Sequence, residues 1–229
     1  MIKPNNIEVL LFDVNETLLD ITVLEPFFQR VFNNKAVLRS WFAELVLYSQ
    51  TMTLSGLYEP FANLALGSLK MVATNHHISM ADSDIEEFKS VLTNLPAHPD
   101  VIPALQRLQG AGFRLATLTN SAPTPSPTLL EKAGISEFFE YQFSVDSVQA
   151  FKPHRSTYQH AVTELGLEPD QVCLVACHLW DTIGAQAMGC AGAFIRRENN
   201  NLLIAKNVPQ PDFIAQDISD LADQLIALF

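Results

Sequence analysis

The chain has 229 residues, of which 48% are apolar and only 17% charged, a balance that supports a substantial folded core and excludes a disordered chain. Its formal net charge of -11 argues against nucleic acid or an anionic membrane as a partner. An anionic ligand would therefore need local cations, and Arg39, Arg114, Lys152, Arg155, Arg196 and Arg197 are the ones to place.

Residues 1–6, where Lys3 is followed by Pro-Asn-Asn, do not read as a secretory leader, and no apolar run reaches membrane-spanning length. Val9-Leu10-Leu11-Phe12 then runs straight into Asp13, the pattern of a buried strand in a parallel sheet. Ligands bind beyond the carboxyl ends of such strands, although an isolated Asp there serves equally as a cap for the next segment. Helical spacing covers residues 24–32, 36–52 and 57–72. Ser83-Asp84-Ile85-Glu86 has the form of a capping box that opens a helix to about residue 95. No strand pattern interrupts this helical insert of roughly 75 residues.

From residue 100 the pattern changes. A helix over 101–108 stops at Gly110 and Gly112, and a strand follows over 114–119. Residues 119–127 form a loop rich in Pro, Ser and Thr, and a short helix over 127–133 ends at Gly134. Then come a weaker strand (138–144), a helix (156–165) ended by Gly166, a strand (171–176), a helix (182–188), strands over 191–196 and 212–215, and an amphipathic helix over 218–229. Alternating strands and helices imply an α/β fold, a doubly wound Rossmann-like parallel sheet with a helical cap inserted after the first strand. Residues 1–18 and 97–229 are expected to form the core domain and 19–96 the cap domain. Cys173, Cys177 and Cys190 have neither disulfide-scaffold nor zinc-site spacing, which points to reduced thiols in a cytoplasmic protein.

Four strand ends carry polar residues. The first ends at Asp13 and the second at Thr119-Asn120-Ser121; the third leads into Phe151-Lys152-Pro153 and the fourth into His178-Leu179-Trp180-Asp181. This order of carboxylate, hydroxyl, lysine and acid resembles the haloacid dehalogenase superfamily over nearly the whole chain. Asp13 matches its nucleophile, Thr119 its second-motif Ser/Thr, Lys152 its lysine and Asp181 its fourth-motif acid. Phosphatases of that superfamily carry a general-acid Asp where this chain has Asn15, and an amide cannot supply the proton. The fourth motif also lacks the clustered acids that hold Mg²⁺ for phosphoryl transfer. Within the superfamily, Lys152-Pro153-His154-Arg155-Ser156-Thr157-Tyr158 and Val175-Ala176-Cys177-His178-Leu179-Trp180-Asp181 resemble segments of the (S)-2-haloacid dehalogenases of type II.

That resemblance implies hydrolysis of small (S)-2-haloacids to (R)-2-hydroxy acids through an ester on Asp13, with neither cofactor nor metal. Lys152 would keep Asp13 ionised and oriented, while Arg39, on the second cap helix, would receive the halide. Thr17, Thr119 and Asn120 would orient carboxylates, Asn15 would line the site, and Tyr158 and Trp180 would be pocket wall or packing. Phe42, Leu45 and Tyr48, on the Arg39 helix, are candidates for an apolar pocket above Asp13. Type II enzymes often have Ser and Asn where this chain has Ala176 and His178. An imidazole is a better base than an amide, so His178, oriented by Glu16, is the expected base for water; the alternative is that His178 only hydrogen-bonds the loop and Asp181 holds the base. A phosphatase or other small-anion hydrolase and a non-catalytic binding protein on this fold are the competing readings. Asn15 discriminates against the former, and the intact Asp13, Thr119, Lys152 and Asp181 set against the latter. A homodimer through apolar cap helices is a further expectation.

Overall fold

Strand β1 (Val9–Phe12) is buried from end to end. In this computed structural model, which describes residues 6–123 and 125–228, β1 is a central strand of a six-stranded parallel sheet. The reading of residues 1–5 as no leader, and the end of the last helix at Phe229, lie outside the described residues. The other strands are β2 (Arg114–Thr119), β3 (Tyr141–Ser144), β4 (Val172–Ala176), β5 (Ala191–Ile195) and β6 (Phe213–Ala215), in the order β3-β2-β1-β4-β5-β6. Phe12 aligns with Thr117 on one side and Val175 on the other. The chain steps outward from β1 to β3, then returns to place β4 on the opposite side of β1. That reversal opens a crevice over the carboxyl ends of the central strands.

Side-chain alternation gives each sheet face its own apolar layer. Val9 and Leu11 join Leu118, Val172, Leu174 and Ala176 on one face; Leu10 and Phe12 join Leu115, Cys173, Val175 and Ile195 on the other. All three cysteines are buried free thiols. Between β1 and the rest of the sheet lie α1 (Glu25–Phe32), α2 (Val37–Leu54), α3 (Phe61–Asn75) and α4 (Asp82–Leu92). Their interior is aromatic: Trp41 meets Phe88 edge-on with ring centroids 5.2 Å apart, and Phe28 lies 5.7 Å from Trp41. This interior is continuous with the Val9–Leu11 face of the sheet. The remaining helices are α5 (Val101–Gly110), α6 (Leu129–Lys132), α7 (Arg155–Leu165), α8 (Leu179–Met188) and α9 (Ile218–Ile226).

Several boundaries differ from expectation. Helix α3 starts at Phe61 because Gly56 turns at φ 68° and Pro60 enters in an extended conformation. The capping box near residue 83 is one-sided and earlier: Asp84 Oδ2 accepts from the Ala81 N–H at 2.9 Å, but Ala81 has no side-chain acceptor to answer. Helix α8 starts three residues early, at Leu179. His178 is its extended N-cap, and Asp181 lies in the first turn, where the helix dipole favours an acid. Among the described residues, no helix is long and apolar enough to cross a membrane.

Candidate active site

The turn after β1 determines where its acids point. Asp13 still follows the sheet, its N–H donating to Val175 O at 2.9 Å. Three residues later Glu16 takes a left-handed conformation, φ 68°, which a non-glycine residue adopts at some cost in strain. Its N–H donates to Leu19 O at 2.8 Å and its carbonyl lies 3.0 Å from His98 Nε2. The turn is thus held from both sides, and the Glu16 side chain folds inward, leaving the residue 2% exposed.

Lys152 lies fully buried between two carboxylates. Its ammonium donates to Asp13 Oδ1 at 2.8 Å, Asp181 Oδ2 at 2.6 Å and Leu118 O at 3.0 Å, using all three protons. Burial alone would lower the lysine's pKa; Asp13 and Asp181 outweigh it and the pKa is raised. The Asp181 pKa is raised by burial, against the opposing pull of Lys152, and its Oδ1 accepts from the Tyr158 hydroxyl at 2.6 Å.

His178 bridges the two acids of the first turn. Its Nδ1 is 3.1 Å from Asp13 Oδ2 and its Nε2 is 2.9 Å from Glu16 Oε2. An imidazole facing a carboxylate at each nitrogen satisfies both only as the imidazolium, donating twice. Burial opposes that charge; Cys177, Asp13 and Glu16 outweigh it and hold the pKa well above its ordinary 6.5. Burial also raises the Cys177 thiol, so the carboxylates rather than a thiolate carry the effect. Burial would likewise raise Asp13, but Lys152 and His178 hold its carboxyl well below the usual carboxylate range. Glu16 is lowered too, with burial overcome by His178 and Arg39. The imidazole is sandwiched between Phe42 (centroids 5.4 Å, 23° between planes) and Trp180 (5.1 Å, 17°).

Thr17 Oγ1 donates to Asp13 Oδ2 at 2.6 Å and accepts from the Cys177 N–H at 3.0 Å. Arg39 is ion-paired through Nη1 with Glu16 Oε1 rather than standing alone to await an anion. Thr119 does not reach Asp13: its hydroxyl accepts from the Ser121 N–H at 3.1 Å, a local turn bond that competes with any longer reach. Asn120 acts on Lys152, its Oδ1 accepting the Lys152 N–H at 3.0 Å. Tyr158 is fully buried behind Asp181 and forms no pocket wall, whereas Trp180 does line the space over Asp13. Asn15 donates to Ser121 Oγ at 3.3 Å. Tyr48 is 41% exposed and lies outside the cavity lining.

Some supporting residues carry no signal in the sequence. Arg197 grips Asp100 with both terminal nitrogens (2.8 and 3.0 Å) and donates to Thr17 O at 2.9 Å, fixing the turn after β1 from outside. Arg114 pairs with Glu140 at the surface, and Arg155 and Arg196 are exposed. Asp13, Cys177 and His178 lie close enough to share a cation, but Lys152 beside Asp13 and a doubly engaged imidazolium make that set electrostatically unfit for one.

The space over Asp13 is small, about 10 Å³, and is bounded by Asn15, Phe42, Val46, Phe61, Asn120, His178 and Trp180. It adjoins a cavity of about 550 Å³ that shares Asn15, Phe42 and Phe61 with it. A separate polar cavity of about 280 Å³ reaches Glu16 and Arg39 from the other side, near His98 and Arg197.

Known proteins are similar to this chain over most of its length. The (S)-2-haloacid dehalogenase 4A of Burkholderia cepacia is 27% identical over 198 residues, 86% of each chain. The (S)-2-haloacid dehalogenase of Pseudomonas putida is 24% identical over 96% of this chain and 97% of its own. A crystal structure described as a dehalogenase with intermediate complex superposes with a TM-score of 0.89 at 25% identity, over 96% of this chain and 98% of that one. The family model for haloacid dehalogenase-like hydrolases matches residues 7–189, well over half of the sequence, and the chain belongs to that family.

Proposed function

We propose that the protein hydrolyses (S)-2-haloacids to (R)-2-hydroxy acids by way of an ester on Asp13. The observation that carries this reading is the Asp13–His178–Glu16 relay, with Lys152 on the other oxygen of Asp13. The names of the curated relatives, (S)-2-haloacid dehalogenases, support the substrate class. Asn15, whose amide bonds Ser121, supplies no leaving-group proton, and a departing halide needs none.

In the first step the ionised Asp13 attacks C2 from the face opposite the halogen, forming a C–O bond as the carbon–halogen bond breaks. The Arg39 guanidinium has five donors and gives one nitrogen to Glu16, so others remain for the departing halide. Ester formation removes the charge on Asp13, and with it one of the two carboxylates that hold His178 protonated. The imidazolium then loses its Nδ1 proton to solvent and becomes a base facing the ester, while Glu16 keeps the Nε2–H and the ring orientation. Water adds to the ester carbonyl as Nδ1 takes its proton. The adduct collapses with cleavage of the bond from the Asp13 carbonyl carbon to the ester oxygen; that oxygen takes the remaining proton of the added water, the 2-hydroxy acid leaves, and the Asp13 carboxylate–imidazolium pair is restored. His178 is a base only while the ester exists.

The test is bromide release from the two enantiomers of 2-bromopropionate, followed by intact-mass analysis. The (S)-enantiomer alone should turn over, and His178→Asn should accumulate protein heavier by one 1-carboxyethyl group, the substrate less its bromide, esterified to Asp13. Glu16→Gln should slow ester hydrolysis by about 10²-fold or more. Full turnover by His178→Asn with no trapped ester would sink the relay. Mg²⁺-dependent phosphomonoester hydrolysis exceeding halide release would overturn the whole reading.

A further inference from the structure

The cavity of about 550 Å³ beside the catalytic space has no part in the steps above. Its walls are Trp41, Phe42 and Leu45 of α2, Phe61 of α3, Leu92 of α4 and Leu129 of α6. Its lining is mainly apolar, and its volume is many times the ~10–15 Å³ that a single water needs on the same measure. Sites of this size and lining take ligands with a substantial apolar body. The methyl group of a three-carbon acid would leave nearly all of it empty. The space over Asp13 itself, about 10 Å³, has room for about one water on that measure, and Asn15, Phe42 and Phe61 line both it and the cavity. A substituent on C2 of a molecule attacked by Asp13 therefore has one roomy apolar direction to take.

We propose that this cavity seats the apolar 2-substituent of the substrate, so that the enzyme prefers 2-substituted carboxylic acids whose side chains run to several carbons. The inference rests on the dehalogenase reading for the bond that breaks, but not for what fills the cavity. Phe42 joins the two spaces: one of its faces stacks on His178 and it also lines the apolar cavity. An alkyl chain lying along Phe42 excludes water from the cavity and keeps C2 near Asp13.

The test uses a series of (S)-2-bromo acids from propionate to octanoate, with octanoate itself as an unreactive probe. kcat/KM should rise about two- to fourfold per methylene until the cavity is full, mostly through KM, because burial of the chain is common to ground and transition states. By calorimetry octanoate should bind at least tenfold tighter than propionate. Ala62→Trp, at an exposed position of α3 on the cavity rim, and Leu92→Trp, on α4, should each flatten the ratio between the octanoate and propionate derivatives toward one. Bromide release that is flat or falls with chain length would overturn the inference and leave the dehalogenase reading standing. Tight octanoate binding without bromide release from any member would do the reverse.

Discussion

Lys152 keeps two buried carboxylates from repelling one another. With a neutral side chain of similar length, Asp13 and Asp181 would face each other with both carboxylates buried. Lys152→Met is therefore expected to abolish turnover and to cost about 3–5 kcal/mol of stability, the usual result of removing one partner from a buried charge group. Urea unfolding that puts the variant within 1 kcal/mol of the parent would refute this. His178 and Asp13 also tie stability to pH, with opposite signs. His178 has its pKa raised on folding, so its contribution is fully present below the unfolded value of 6.5 and is lost as pH rises through the folded pKa. Asp13 has its pKa lowered, so its contribution is present above 3.8 and is lost as pH falls through the folded pKa. Melting curves of parent and His178→Asn should accordingly differ most between about pH 4 and 6.5 and converge in alkali; a gap that widens with rising pH would contradict the imidazolium.

Among the elements, α7 and α8 pack most closely behind the site. A Cβ on Gly184 of α8 would lie 2.5 Å from Pro153 Cβ, 2.6 Å from the Tyr158 hydroxyl and 2.9 Å from Tyr158 Cε2. Tyr158 is fully buried and bonded to Asp181, so it cannot yield without pulling that acid off Lys152. Gly184→Ala is expected to cost about 1–3 kcal/mol through overpacking and to lower kcat, as read by thermal melts and bromide release. Wild-type stability together with full activity would show that the helices slide apart freely. Asp13 and His178 are legible in sequence because each follows an apolar strand closely, whereas Lys152 lies eight residues beyond the end of β3 and is legible only through the Lys-Pro segment it opens. Glu16 is legible as a neighbour of Asp13, but its inward turn depends on a left-handed backbone that no side chain announces. The start of α8 escapes a reading of the sequence because a Trp-Asp pair after a strand reads as loop, whereas here it forms a first helical turn. Thr119 makes a bond its position does not announce, its hydroxyl accepting from the Ser121 N–H two residues on. Arg39 carries no mark in sequence of the acid it pairs with 23 residues away.

The molecule as a whole repels its proposed substrate. A net charge of -11 surrounds a site entered by a carboxylate, and the compensating cations lie close to the reacting atoms. Raising ionic strength from about 0.01 to 0.15 M shortens the screening length from ~30 to ~8 Å, which should hide the distant negative surface while sparing the buried groups. kcat/KM for a 2-bromo acid is expected to rise about twofold or more over that range. A fall would mean that cations at the mouth, rather than the global charge, govern capture; parallel assays with a non-halide salt separate screening from product inhibition.

The stack of Phe42, His178 and Trp180 has a consequence for observing the reaction. The chain contains two tryptophans, Trp41 and Trp180, and the second lies flat against the ring whose proton comes and goes. A protonated imidazole against an indole drains its excited state, whereas a neutral one does so far less. Under the proposed mechanism, emission from Trp180 is therefore expected to brighten as the ester forms and to dim as Asp13 is released. With Trp41→Phe to remove the second emitter, stopped-flow fluorescence would time the two chemical steps separately in the unlabelled protein.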